Sequence, residues 1–157
     1  MISSINDAQD RDGDDDTPLP RTELDSHANM VVLGANAFIF DRVQDRRCDV
    51  SPFDPSLGKA TSVPIVDGAI AYDCPYSNET FILIFYNALY FPSLNHNLVP
   101  PFIMREAGLQ VNDIAKIHVD DPTKKDHAIV IEDLDLSIPM QLNGIFSFFP
   151  FEKAIQT

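Results

Sequence analysis

Glu23-Leu24-Asp25-Ser26-His27-Ala28-Asn29-Met30-Val31-Val32-Leu33 is the stretch from which the rest of this chain can be read. Arg21–Leu24 has the look of a short strand and delivers an acid, Asp25. A hydroxyl follows at once, and a small residue comes soon after. Then 29–33 (N-M-V-V-L) is apolar and β-branched, the composition of a second strand. The pattern predicts strand, tight polar loop, strand, with Asp25 on a loop pinned at both ends. An Asp-Ser pair also suits an ordinary Asx turn, so this stretch alone leaves its chemistry open.

Outward from it the text stays β-like. Gly34 marks a turn and 37–40 (A-F-I-F) a strand, while 41–62 is polar, holds Pro52, Pro55 and Gly58, and reads as loop. Segments 63–66 and 69–72 flank Asp67-Gly68, a two-residue hairpin signal, with Pro64 confining the first to an edge. A turn is expected over 74–78. The strongest strand is 80–86 (T-F-I-L-I-F-Y), and 88–91 continues it up to Pro92. One helix is predicted, over 102–107, with Pro100-Pro101 before it and Gly108 after it. Strands are expected at 116–119, 127–131, 135–140 and 145–149, with turns at 120–125 and Asn143-Gly144. Many short strands with frequent turns argue an all-β barrel or sandwich.

Composition narrows the function classes. The chain has 157 residues, enough for one domain and a tail, and 45% are apolar, which excludes disorder throughout. Its formal net charge is −13 with only 11 Lys and Arg, so no nucleic-acid or anionic-membrane surface is expected. Residues 1–20 carry −5 of that charge and end in Thr17-Pro18-Leu19-Pro20, the composition of a disordered acidic leader. No secretory apolar region and no run of bilayer length occurs. The two cysteines, Cys48 and Cys74, make no metal knuckle. A disulfide between them stays open, and a reduced intracellular setting is expected. His96, His118 and His127 lack ligand spacing, and no dinucleotide or phosphate loop is present, so no metal and no cofactor is expected. Ser26 and His27 are adjacent, which rarely aligns a hydroxyl with an imidazole, so they are not read as a hydrolytic pair. The aromatics Phe146, Phe148, Phe149 and Phe151 are read as core.

A second stretch gives the first its meaning. Asn87-Ala88-Leu89-Tyr90-Phe91-Pro92-Ser93-Leu94-Asn95-His96-Asn97-Leu98-Val99-Pro100, leading into 102–108, resembles the Pol polyprotein of copia-type LTR retrotransposons. The protease region of that family has an L-D-S-G-A-like loop, then an N-V-L-Y-V-P-x-L-x-x-N-L-L-S segment and a short helix ending in Gly. Leu24 to Ala28 matches the first element and Asn87 to Val99 the second, in the same order. The resemblance covers about 21–109, and 144–150 also looks like the end of this region in related polyproteins.

The resemblance implies an all-β, retropepsin-like closed barrel over 21–109 with one short helix, after the leader 1–20 and before a C-terminal β extension over 110–157. It implies an aspartic endopeptidase, with Asp25 as catalytic aspartate and Ser26 as its hydroxyl partner. Ala28 would pack under the loop, and His27 would stand beside the substrate. Asp67 and Gly68 would lie near the flap tip, and Leu98-Val99 would cross behind the loop. Two close carboxylates share a proton, so one acts as base toward water while the other acts as acid. Only one such loop occurs, so activity requires a homodimer. The implied substrate is the element's own polyprotein, and the implied setting is cytoplasmic, including virus-like particles. The chain departs from the pattern twice, with His27 in place of Gly and Pro100 in place of Gly or Ser. Those departures favour the competing class, a catalytically inactive β-barrel module of the polyprotein or a domesticated remnant.

Overall fold

The computed structural model describes residues 2–3, 19–50 and 60–152. Among the described residues the chain is mostly strand, with one short helix. In order it forms β1 (Ile2–Ser3), β2 (Arg21–Leu24), β3 (Val32–Leu33), β4 (Phe38–Val50), β5 (Ala60–Asp73), β6 (Thr80–Tyr90) and β7 (Asn97–Val99). After these come α1 (Pro101–Glu106), β8 (Gln110–Asn112), β9 (Ala128–Ile131), β10 (Leu136–Pro139), β11 (Gln141–Asn143) and β12 (Phe146–Pro150). No helix among the described residues is long and apolar enough to cross a membrane.

The main sheet runs β11-β12-β2-β7-β3-β6-β5-β4, with β1 added on β6. A smaller sheet runs β10-β9-β8. Among the described residues the main path ends at β11 and β4 without joining them, so its strand ladder does not close into a barrel. It does curl: β12 lies beside β2, yet Glu152 just beyond it bridges to Ala71 in β5, with an N–H···O bond of 3.0 Å. One core unites both sheets. Leu24, Leu33 and Val99 pack in the same cluster as Val111, Ile129, Leu136, Ile138, Phe149 and Phe151.

The order β2-β7-β3 is the unusual part. β2 and β3 are neighbours in sequence but do not pair with each other. β7, which comes more than sixty residues later, lies between them. It is parallel to β2 (Thr22↔Asn97, Leu24↔Val99) and antiparallel to β3 at Val32↔Leu98. β3 in turn pairs in parallel with the end of β6. Burial alternates along β2 and β7, so Thr22, Leu24, Asn97 and Val99 are inside.

Several expectations are corrected. Asp67-Gly68 is not a turn but lies within β5, opposite Asp41 and Ile39 of β4. A two-residue hairpin turn needs positive φ, which neither residue adopts. The pair sits at a register shift against β6, where the Asp67 carboxylate accepts the Asn87 N–H at 2.9 Å. Gly68 is closely packed: an added Cβ would stand 2.5 Å from the Leu33 Cδ1, so that side chain would have to shift. Residues 41–50 and 60–62, expected as loop, are arms of the long β4–β5 hairpin. Their polar text hid them because most of the described side chains there lie at least partly in solvent. The rest of that expected loop, 51–59, lies outside the described residues. Segment 116–119, expected as a strand, is a 3-10 turn over Lys116–His118.

The leader splits. Its residues 4–18 lie outside the described residues, whereas Ile2 and Ser3 pair with Phe81 and Thr80. Pro20 is buried and its carbonyl accepts the Phe151 N–H at 2.9 Å, so the folded body begins one residue before the expected boundary. α1 forms where a helix is expected, shifted one residue earlier: Pro100 (φ −67°) caps it, Pro101 lies inside it as its first residue, and Gly108 (φ +89°) follows its Ala107 cap. Cys48 and Cys74 are both free thiols. Of the aromatics expected in the core, Phe149 and Phe151 are there, but Phe146 is exposed and Phe148 is half-buried under the Arg21 guanidinium, 5.3 Å from its ring centre.

The smaller sheet is tied to β12 by a polar contact. His127 takes a left-handed conformation (φ 47°) just before β9, and its Nε2 lies 2.9 Å from the Ser147 hydroxyl, both groups buried. Burial, with Lys116 nearby, holds this imidazole below the ordinary histidine range against the opposing pull of Asp113. A lowered folded pKa means that the unfolded chain takes the proton first. Stability is therefore full above about pH 6.5 and declines as the pH falls through the unfolded value. Urea midpoints between pH 7.5 and pH 5 should show this loss. His127→Asn, which tolerates the left-handed backbone, should flatten the profile. Parallel profiles for the two proteins would show that His127 does not titrate on unfolding.

Candidate functional site

The loop joining β2 to β3 carries Asp25, Ser26, His27 and Ala28. Its entry is fixed by the sheet: the Asp25 N–H donates to the Val99 carbonyl at 3.0 Å, extending the β2–β7 pairing by one bond. The chain then turns. The Ala28 N–H donates to the Asp25 carbonyl at 3.3 Å, and the His27 N–H donates to the Asp25 Oδ1 at 2.9 Å. The loop is therefore an Asx turn whose carboxylate is held by its own backbone. Asp25 is half-buried, Ser26 and His27 are exposed, and Ala28 is half-buried.

The two departures from the family pattern fit this geometry. His27 does not have positive φ, so no glycine is demanded by the backbone there. The contact it makes to Asp25 uses the N–H, which His retains. Pro100 is buried at φ −67°, within proline's own range, and accepts the Ile103 N–H at 3.1 Å.

Behind the loop stands a buried polar clamp that sequence reading did not single out. The Asn97 side chain accepts the Gly34 N–H at 2.9 Å and donates to the Thr22 hydroxyl at 3.3 Å. Asn97 and Thr22 are both fully buried. One amide in β7 thus holds both β2 and the turn that follows β3. Gly34 permits the approach, since a Cβ there would meet the Leu94 and His96 carbonyl oxygens at 2.5 and 2.7 Å. The available signal was Asn97 itself, a polar residue at a position whose alternate neighbour Val99 is core.

Other predicted residues fall elsewhere. Leu98 and Val99 do cross at the loop, Val99 inside and Leu98 half-exposed opposite Val32. Asp67 and Gly68 engage Asn87 and Leu33, and are not part of the Asp25 loop. His96 is turned to the chain's own backbone, accepting the Arg21 N–H on Nδ1 at 3.2 Å. Burial and the Arg21 charge lower its pKa, with Glu23 opposing. Glu23 is itself paired with the Arg21 Nε at 2.7 Å. Comparison with protein-family models, with curated proteins and with solved structures gives no match.

Chemically the arrangement offers one half-exposed carboxylate, oriented by a backbone donor, beside an exposed hydroxyl and an exposed imidazole. Its position depends on the clamp. Asn97→Ala leaves the Thr22 hydroxyl and Gly34 N–H without their buried partner and should cost about 2–4 kcal/mol in urea unfolding. Gly34→Ala forces a methyl against two carbonyl oxygens and should cost about 1–3 kcal/mol or more. Thr22→Val should cost less than Asn97→Ala, because only the longer bond is lost. A full-stability Asn97→Ala protein would show that the clamp does not set the register.

Proposed function

We propose that this chain is an aspartic-endopeptidase-like domain of a retrotransposon polyprotein, active as a homodimer. In this reading the Asp25 carboxylates of two copies meet on a two-fold axis and share one proton. The ionised carboxylate takes a proton from water as the water attacks the peptide carbonyl. The protonated one donates to that carbonyl oxygen. The substrate is an extended segment of the polyprotein itself. Ser26 braces the loop against its counterpart, and His27 and Ala28 lie beside the substrate.

The observation that carries this reading is the bond from the Asp25 N–H to the Val99 carbonyl. It joins the two sequence elements on which the family resemblance rests, and it does so with β7 threaded between the strands that flank the Asp25 loop. The finer fold, a retropepsin-like barrel, is part of the same proposal. Its support is the curl of the main sheet through the Ala71–Glu152 bridge. The flap is then assigned to the β4–β5 hairpin rather than to Asp67-Gly68. The single acidic loop per chain also leaves a definite alternative, a module of the polyprotein that folds and binds but does not cleave. The exposed His27 at the glycine position is the observation that favours it.

A precursor carrying this chain with its flanking polyprotein sequence separates the two. Cleavage at mildly acidic pH should be abolished by Asp25→Asn, a loss of about a thousandfold or more, with the fold intact by circular dichroism. Activity per chain should rise with concentration, since the dimer is the active species. Asp25→Asn added in excess should suppress the unsubstituted protein through mixed dimers. Equal processing by both proteins, or none by either, would overturn catalysis by Asp25 and leave the binding module.

A further inference from the structure

The β11–β12 hairpin stands beside the Asp25 loop. β12 runs antiparallel to β2, with Pro150 opposite Arg21, Phe149 opposite Thr22 and Phe148 opposite Glu23. Two residues further along, this register sets Phe146 level with Asp25, one strand spacing away. β2 ends at Leu24, whereas the hairpin runs on past that end through Ile145 and Gly144. Phe146 and Phe148 share the sheet face of Arg21 and Glu23, since Thr22, Leu24, Ser147 and Phe149 alternate with them and point inward. The hairpin is exposed over the whole of 141–146, and Ile145 is 89% exposed. Its turn asks for Gly144, at φ +62°, and not for an isoleucine after it. Neither 141–146 nor 26–29 contains an Asp, Glu, Lys or Arg, in a chain of net charge −13.

We infer that the β11–β12 hairpin is a self-association surface, on which a second copy of this chain packs across a two-fold axis beside Asp25. The inference rests on the proposed homodimer and assigns the surface that makes it. Two Asp25 loops on one axis bring their neighbouring hairpins to that axis, because Phe146 is one strand away from Asp25. A two-fold contact uses the same patch on both copies, so the patch must be complementary to itself. An uncharged apolar strip meets that condition. A patch with the acidic character of the chain as a whole would repel its own copy. Ile145, Phe146 and Leu142 are the apolar side chains that the partner covers, and the partner's loop completes the acidic pair. The segment after the motif then acts twice: its buried ends hold β2, and its exposed middle holds the second copy.

Sedimentation velocity of the full chain over a concentration series is the test. The unsubstituted chain should form dimers. Ile145→Glu should weaken them about thirtyfold or more, the loss expected for an apolar anchor inside a contact. Ile145→Lys should weaken them too, although it lowers the net negative charge, because the contact is apolar. Ile117→Glu, 85% exposed in the 3-10 turn, should leave them unchanged. Circular dichroism should show all three variants folded. Dimers that withstand the Ile145 substitutions, weakening by Glu alone, equal weakening by Ile117→Glu, or a chain monomeric throughout would each overturn the surface. Unchanged dimers with a raised KM for precursor cleavage would overturn it in favour of a peptide seated on the hairpin. Asp25→Asn should dimerise as the unsubstituted chain does, which separates association from catalysis. Dimers that depend on Ile145 but never cleave would overturn proteolysis and leave this surface. Concentration-dependent cleavage indifferent to Ile145 would do the reverse.

Discussion

The Asn97 amide is the contact on which the central topology turns. β2 and β3 are separated by a short loop, and such neighbours would ordinarily pair with each other. Here a strand from much later in the chain takes the place between them. Apolar packing alone specifies such an insertion poorly, because Leu98 and Val99 would tolerate several positions against other apolar strands. The amide does not. It has an acceptor and donors that must each be met in a dry interior, and Thr22 and Gly34 meet them only in one register. A slip by one residue would expose Val99 and bury Leu98, besides breaking both bonds. The clamp is polar so that the alignment is discrete.

That alignment is what gives Asp25 its setting. The loop itself is short and mostly exposed, and its own turn bonds are those of any Asx turn. What lifts it out of the ordinary is the bond to the Val99 carbonyl, which exists only if β7 is in place. The anchoring of the loop's entry, with the Asp25 N–H on the Val99 carbonyl, is then a consequence of a chain crossing made more than sixty residues away. His27 and Pro100 are compatible with this frame because each is asked for a backbone property it has: an N–H from His27, a fixed φ near −67° from Pro100.

Much of this was legible in the sequence, and what was not has a common cause. β12 and α1 could be placed because Asn-Gly, proline or glycine signals bound them, β9 (A-I-V-I) and β10 (L-S-I-P) by their apolar text, and β2 because it lies between Pro20 and the Asp-Ser signal. The Asp25 loop was legible for the same reason. The outer part of the β4–β5 hairpin, 41–50 and 60–62, was not, because its text is polar and its described side chains all lie at least partly in solvent, so period-two contrast is lacking. Asp67-Gly68 misled because a dipeptide suited to a turn is equally suited to a bulge where a leucine methyl presses on the backbone. Deciding between them needs the positions of Leu33 and Asn87, which are set by tertiary contacts. Asn97 was quoted within a motif but its role was hidden, since a buried amide is recognised by its partners and not by its neighbours in sequence. Strands as short as β7, β8 and β11 carry too few residues to show any period.

The segment after 109 bears on the same site. From 136 to 151 the chain contains no Asp, Glu, Lys, Arg or His, in a protein of net charge −13. Such a stretch is unsuited to a free surface and suited to insertion among other elements. Its two ends are inserted, while 141–146 between them is exposed: Leu136, Ile138, Met140, Phe149 and Phe151 are core, and β12 occupies the edge of β2 opposite β7. β2 is thus held on both sides by strands that come late in the chain, β7 by the amide clamp and β12 by a ladder over a buried phenylalanine. Without β12, β2 would be an edge strand of four residues leading directly to Asp25, with Thr22 no longer covered. The carboxylate's placement therefore depends on residues beyond the motif that draws attention to it, and the C-terminal extension belongs to the construction of the site.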